Sequence, residues 1–145
     1  MPRLSLEPAL DPADYPFTHR LRTRFAETDA MGIIHHAAYL PYLEEARVEY
    51  LRAVGHPYDV VRGGEAREAR DFPVLEVSVR YRRPLRFDEA LDVSLRLGDV
   101  RGATFQIAYL LTVGGEGRAT AVTVHGCVDG LGRPTRLPTW IAGSS

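Results

Sequence analysis

The run Thr28-Asp29-Ala30-Met31-Gly32-Ile33-Ile34-His35-His36 holds the residue types that could do chemistry. One carboxylate, Asp29, leaves a strand-like segment. A glycine follows, then two histidines, and a helix-like run begins at Tyr39 and reaches Val54. The first N–H groups of a helix lack partners within it and carry the positive end of its dipole. A carboxylate facing such groups suits acyl transfer. It can attack a carbonyl carbon or activate water to do so, while the N–H groups receive the developing oxyanion. Spacing alone favours an Asx turn or a helix cap for Asp29 over a catalytic role. It leaves His36 open to a plain polar loop role. Gly32 is expected to let the loop turn. Consecutive histidines converge poorly on one ion and no second cluster has zinc spacing, so no metal is expected.

The flanking elements must position these residues. His19 to Glu27 alternates weakly, with Leu21, Thr23 and Phe25 on one face and Arg20, Arg22 and Arg24 on the other, as in a half-buried strand. After the loop, Tyr39, Leu43, Ala46, Tyr50 and Ala53 recur at helical intervals and form a wide apolar stripe. Pro41 clashes with the carbonyl four residues back, so Ala37 should lie outside the helix and the first turn near Ala38 to Pro41. Leu40, before a proline, makes that turn irregular. Gly55 suits the stop. A short turn is expected over Tyr58 to Arg62. Strands are expected over Phe72 to Arg83, Ala90 to Val100, Thr104 to Val113 and Arg118 to Val128, with glycine turns between. This order predicts an α+β fold, one antiparallel sheet packed on one long helix.

The chain has 145 residues, enough for one domain, with 45% hydrophobic residues and a net charge of -1. That balance gives no global pull toward nucleic acid or membrane. All basic residues are arginine. Cys127 stands alone, so no internal disulfide forms, and no apolar run is long enough to span a bilayer. A cytoplasmic location is expected. Residues 1–18 read as a proline-rich irregular arm, 19–138 as the domain and 139–145 as a tail.

The stretch from Glu27 to Leu40, with Glu44, Glu45, Ala46, Arg47 and Leu51, resembles the hotdog-fold acyl-CoA thioesterases, nearest the hydroxybenzoyl-CoA thioesterase-like bacterial branch. Tyr81-Arg82-Arg83-Pro84 and Val128-Asp129-Gly130 fit the same pattern. The similarity runs from about His19 to Pro138. It implies a curved antiparallel sheet of about five strands around the helix. It also implies a homo-oligomer, a dimer or a dimer of dimers, with active sites between subunits. Relatives often carry asparagine or serine where Ala38 stands, an aromatic residue at His35 and glycine at Met31.

The resemblance assigns Asp29 as nucleophile or general base and the backbone N–H of His36 as the polarising group. It implies an acyl-CoA substrate, with coenzyme A as part of that substrate and no separate cofactor. Gly32, His35 and Tyr39 are candidate substrate contacts, although tyrosines spaced like Tyr39 and Tyr42 more often serve a core. Arg80, Arg82, Arg83 and Arg86 crowd one strand end, and arginine forks suit phosphate. Arg82 and Arg83 are the chosen pair, with Arg133 and Arg136 as further candidates. A solvated or intersubunit face explains that cluster equally well. His125 and Cys127 share a face but lack the setting of a nucleophile. Two rival functions remain. A hotdog hydroxyacyl-thioester dehydratase would need a pair such as His36 with Glu45. A non-catalytic acyl-CoA sensor would usually carry a DNA-binding segment, for which residues 1–18 are too short.

Overall fold

The structure, a computed structural model, describes residues 4–143. The ends of the expected arm and tail, residues 1–3 and 144–145, lie outside the described residues. Five strands form one antiparallel sheet: β1 (Phe17–Arg22), β2 (Val74–Tyr81), β3 (Ala90–Arg101), β4 (Thr104–Val113) and β5 (Glu116–His125). Their spatial order is β1-β3-β4-β5-β2. The long helix α1 (Tyr39–Ala53) packs across one face, and two short helices follow, α2 (Tyr58–Arg62) and α3 (Thr139–Ala142). The expected α+β architecture, a five-stranded sheet curved around one long helix, is borne out.

Period two divides the sheet into two faces. Leu91, Val93 and Leu95 of β3, Phe105, Ile107, Tyr109 and Leu111 of β4, and Ala119 and Ala121 of β5 form the core against α1. From α1 the core takes Tyr39, Tyr42, Leu43 and Ala46, with Tyr50 half-buried. Ala53, expected in the stripe, is exposed. Gly55, at φ +84°, ends it. The irregularity expected from Pro41 falls one turn earlier, as a 3-10 turn over His36–Ala38 that leads into α1.

Three boundaries differ from the sequence pattern. The first strand stops at Arg22 rather than Glu27. Thr23 donates its hydroxyl to the Arg86 carbonyl at 2.6 Å, and Glu27 closes a 3-10 turn by accepting from the Arg24 N–H at 3.0 Å. Such local side-chain bonds compete with a ladder. Phe25 is therefore exposed, stacked edge-on against Phe87, not on the buried face. The second strand is trimmed to Val74–Tyr81 between Pro73 and Pro84. The last strand slides to Glu116–His125, with an isolated bridge from Asp71 to Val128 beyond it.

The arm packs on the outer face of the sheet. Tyr15, Ala108 and Leu110 form a small second core with Leu6 and Ala9 against it. The N–H groups of Ser5 and Leu6 both donate to Gln106 Oε1, at 3.0 and 3.1 Å. Leu6 sits so close to Gly98 that a Cβ there would meet Leu6 Cδ1 at 3.1 Å. Burial pushes the Tyr15 hydroxyl up to about 12.

Candidate active site

Asp29 opens a tight turn. Its Oδ1 accepts from the N–H groups of Met31 at 2.8 Å and Ile33 at 3.3 Å, and its own N–H donates to the Ile33 carbonyl at 2.8 Å. This is the Asx geometry expected of a loop aspartate, and it fixes the carboxylate plane. Oδ2 has no partner among the described residues. Gly32 turns the chain at φ +79°, a conformation that disfavours a side chain. The Ile34 N–H donates to the Leu85 carbonyl at 2.8 Å, which ties the loop to the sheet.

The loop then delivers the helix start. His35 caps it, its Nδ1 accepting from the Ala37 N–H at 3.1 Å, and its ring stacks on His36 at 4.3 Å. The His35 N–H donates to the Glu27 carbonyl at 2.8 Å. The His36 N–H makes no hydrogen bond among the described residues. An unpaired N–H at a helix start can receive an oxyanion, and a carboxylate with a free oxygen can serve as nucleophile or base.

Asp29, His36, Tyr39, Arg82 and Arg83 line one cavity of about 430 Å³, with Ile33, Ile34, Tyr81 and Pro84. Gly32 and His35 shape its loop without lining it. Tyr39 belongs to the core and the cavity at once. Tyr42 is buried away from the cavity. Arg83 is engaged by Glu116 at 3.2 Å, whereas the Arg82 guanidinium has no partner among the described residues. Arg86 and Arg136 lie outside the cavity, and Arg133 is held by Asp129 at 3.2 Å.

Two supporting residues escaped the sequence pattern. The Tyr81 hydroxyl donates to the His36 carbonyl at 3.0 Å, and its ring meets Tyr39 edge-on at 4.8 Å. Its inward position at the end of β2 was the available signal. Glu27 accepts from the Tyr42 hydroxyl at 2.5 Å and pairs with Arg24 at 2.8 Å. Burial alone would raise the Glu27 carboxyl, but hydrogen bonds from Tyr42 and Arg24 hold it below the usual glutamate range. Burial and the Glu27 carboxylate push the Tyr42 hydroxyl well up. This clamp ties the approach to Asp29 onto α1. Nothing in local spacing announces it, because the partners come from different elements.

Elsewhere the candidate groups are occupied. Glu45 lies 2.6 Å from His19 Nε2, so the carboxylate a dehydratase would need beside His36 is engaged by β1. His125 uses both ring nitrogens, toward Thr123 at 2.7 Å and the Phe72 carbonyl at 3.1 Å. Burial pushes its pKa down to about 4. Burial also raises the Cys127 thiol, whose Sγ faces the Arg136 carbonyl at 3.4 Å. Neither residue lines the Asp29 cavity. Among the described residues no group of three or more His, Cys, Asp or Glu side chains could hold a metal ion, and no helix is long and apolar enough to cross a membrane.

A profile of the thioesterase-like superfamily matches residues 23–144. Two solved structures share the fold over most of both chains. A hypothetical protein of Aquifex aeolicus has a TM-score of 0.80 and 34% identity over 89% of this chain and 98% of its own. One of Thermus thermophilus has a TM-score of 0.79 and 36% identity over 88% and 98%. A relative from Haemophilus influenzae, the acyl-CoA thioesterase YbgC, is 29% identical over 86% of this chain and 90% of its own. The chain belongs to the thioesterase-like superfamily, with the hotdog fold. It is a thioester hydrolase.

Proposed function

We propose that the substrate is an acyl-CoA and that Asp29 carries its hydrolysis, as nucleophile or as general base. The observation behind this reading is a carboxylate with one oxygen pinned and one free, beside a helix start whose His36 N–H is unpaired. As nucleophile, Oδ2 adds to the thioester carbon and the thiolate leaves. Water then cleaves the resulting anhydride. As base, the carboxylate takes a proton from the water that adds to the same carbon. In both routes negative charge grows on the carbonyl oxygen, which the His36 N–H and the helix dipole stabilise. The name of the H. influenzae relative supports CoA as the carrier.

The site is completed in this reading by a second copy, and the protein works in the cytoplasm as a dimer or a dimer of dimers. Strand β2 supports this. It is a sheet edge that leaves Val74, Leu75, Val77 and Tyr81 between 39% and 51% exposed, an open template for another strand. Antiparallel pairing of β2 with its copy sets the Tyr81 end of one strand beside the Val74 end of the other. The Asp29 cavity of one subunit would then meet the partner's apolar cavity, which Val74, Phe72 and Trp140 border. The test is thiol release from a panel of aliphatic and aromatic acyl-CoAs by wild type and Asp29→Asn. A drop of about 10³-fold in kcat supports the assignment. Undiminished hydrolysis by Asp29→Asn sinks it. Binding without turnover by wild type would mark a sensor, and an enoyl product without thiol release a dehydratase.

A further inference from the structure

We infer that the N-terminal arm and the outer face of β2 form a binding groove for the phosphorylated nucleotide end of coenzyme A. This rests on the acyl-CoA reading and sharpens it, because a groove for the nucleotide selects CoA thioesters over those of a carrier protein, which lack that nucleotide.

The groove holds about 390 Å³. One wall is the arm, including Ser5, Glu7 and Leu10, and the floor is Ser78 and Arg80 of β2 with Thr120 and Val122 of β5. The register explains this floor. Arg80 pairs with Thr120 and Ser78 with Val122, so all four point to the face opposite α1. Arg82 borders both this groove and the Asp29 cavity. Beyond Tyr81 the backbone stays bonded to β5, with the Arg82 and Arg83 N–H groups donating to the Arg118 carbonyl at 2.8 and 3.1 Å, and the Arg82 side chain is the link between the two cavities.

Charge favours an anion. Half of the chain's 18 arginines, Arg20, Arg22, Arg24, Arg52, Arg62, Arg83, Arg101, Arg118 and Arg133, sit in ion pairs. The guanidinium groups of Arg80 and Arg82 have no partner among the described residues, yet both edge this groove. Glu7 is the carboxylate that faces them. Ser78 and Thr120 add hydroxyls. Paired forks with nearby hydroxyl donors suit phosphate oxygens.

The arm wall is fixed rather than draped. Besides the two N–H bonds to Gln106, the Ser5 hydroxyl bonds Asp99, Arg96 donates to the Glu7 carbonyl at 2.8 Å, and Leu6 fills the space that Gly98 leaves. A ligand meeting this wall finds it already ordered, which lowers the cost of binding.

The test is equilibrium binding of CoA, 3′-dephospho-CoA and pantetheine to the full-length chain by calorimetry, with Arg80→Gln, Glu7→Gln and Leu6→Ser beside wild type. These are outer-face changes, and Arg80 and Glu7 are exposed or half-buried. Wild type should prefer CoA to pantetheine by at least tenfold, on the scale of one charge-assisted hydrogen bond. Arg80→Gln should reduce that ratio about tenfold, Leu6→Ser should reduce it by loosening the wall, and Glu7→Gln should raise it. Equal affinity for CoA and pantetheine, or a ratio indifferent to Arg80→Gln, overturns the groove. Binding is read without turnover, so the two ideas fail separately. A chain that binds CoA this way but releases no thiol loses the Asp29 reading alone. A chain that cleaves acyl-CoA and acyl-pantetheine equally, with Arg80 immaterial, loses the groove alone.

Discussion

The two ends of helix α1 carry similar residue types with opposite fates. At its start, Asp29 keeps an oxygen free, the His36 N–H is unpaired and Arg82 has no partner among the described residues. Toward its far end lies an apolar cavity of about 320 Å³ bordered by Phe72, Phe105, Trp140, Arg47 and His125. There a buried chain runs from Arg47 to the Tyr109 hydroxyl at 3.1 Å, on to Thr123 at 2.8 Å and to His125 at 2.7 Å. It ends on the Phe72 carbonyl. Among the described residues every buried polar side-chain atom finds a partner. Saturated groups hold a core together, and groups with capacity left over can meet a substrate. The difference lies in hydrogen bonds, not in residue type.

Variants at the two ends can break or sharpen this contrast. The largest effect belongs to Asp29→Asn, about 10³-fold in kcat with little change in unfolding midpoint. Next comes His125, whose folded pKa lies below its unfolded value of 6.5. The unfolded chain binds that proton first, so the stability held by neutral His125 is complete above pH 6.5 and drains as pH falls toward 4. The loss amounts to about 3 kcal/mol. Urea unfolding at pH 7 and pH 4 should show it, and His125→Gln should flatten the slope. A slope unchanged in that variant would mean His125 is not the titrating group.

The third effect tests the backbone donor. His36→Pro removes the N–H, and His35 at φ -60° and ψ 139° already holds the geometry that a following proline requires. A loss of about 10²-fold in kcat is expected, larger than that of His36→Ala, which keeps the N–H. Equal losses would point to the imidazole instead. The smallest effect is Tyr42→Phe. Losing a hydroxyl that donates to the Glu27 carboxylate should cost about 1.5 kcal/mol of stability. Turnover should fall severalfold as the Asp29 loop loosens, and a thermal midpoint equal to wild type would show that the clamp carries no weight.

Much of this contrast was legible in the sequence, and the rest was hidden for physical reasons. The Asp29 loop, the helix start after His36 and the limits of β4 could be read because local periodicity and Pro41 constrain them. The composition of the arm marks it only as irregular, although β4 holds a clue. Phe105 to Leu111 does not alternate cleanly between apolar and polar, which signals a strand covered on both faces. The arm supplies that second cover through Leu6, Ala9 and Tyr15. The overextended first strand arose because period two cannot separate a strand from a 3-10 turn closed by Glu27. Pairings such as Arg83 with Glu116 or Tyr42 with Glu27 join distant elements, and single-chain spacing carries no trace of them.

The most direct test compares thiol release from one acyl-CoA by Asp29→Asn and by Cys127→Ser, both shown to be folded by their unfolding midpoints. The free oxygen of Asp29 beside the unpaired His36 N–H predicts a loss of about 10³-fold in the first and near wild-type turnover in the second. Full activity in Asp29→Asn, or its collapse in a folded Cys127→Ser, would contradict that account.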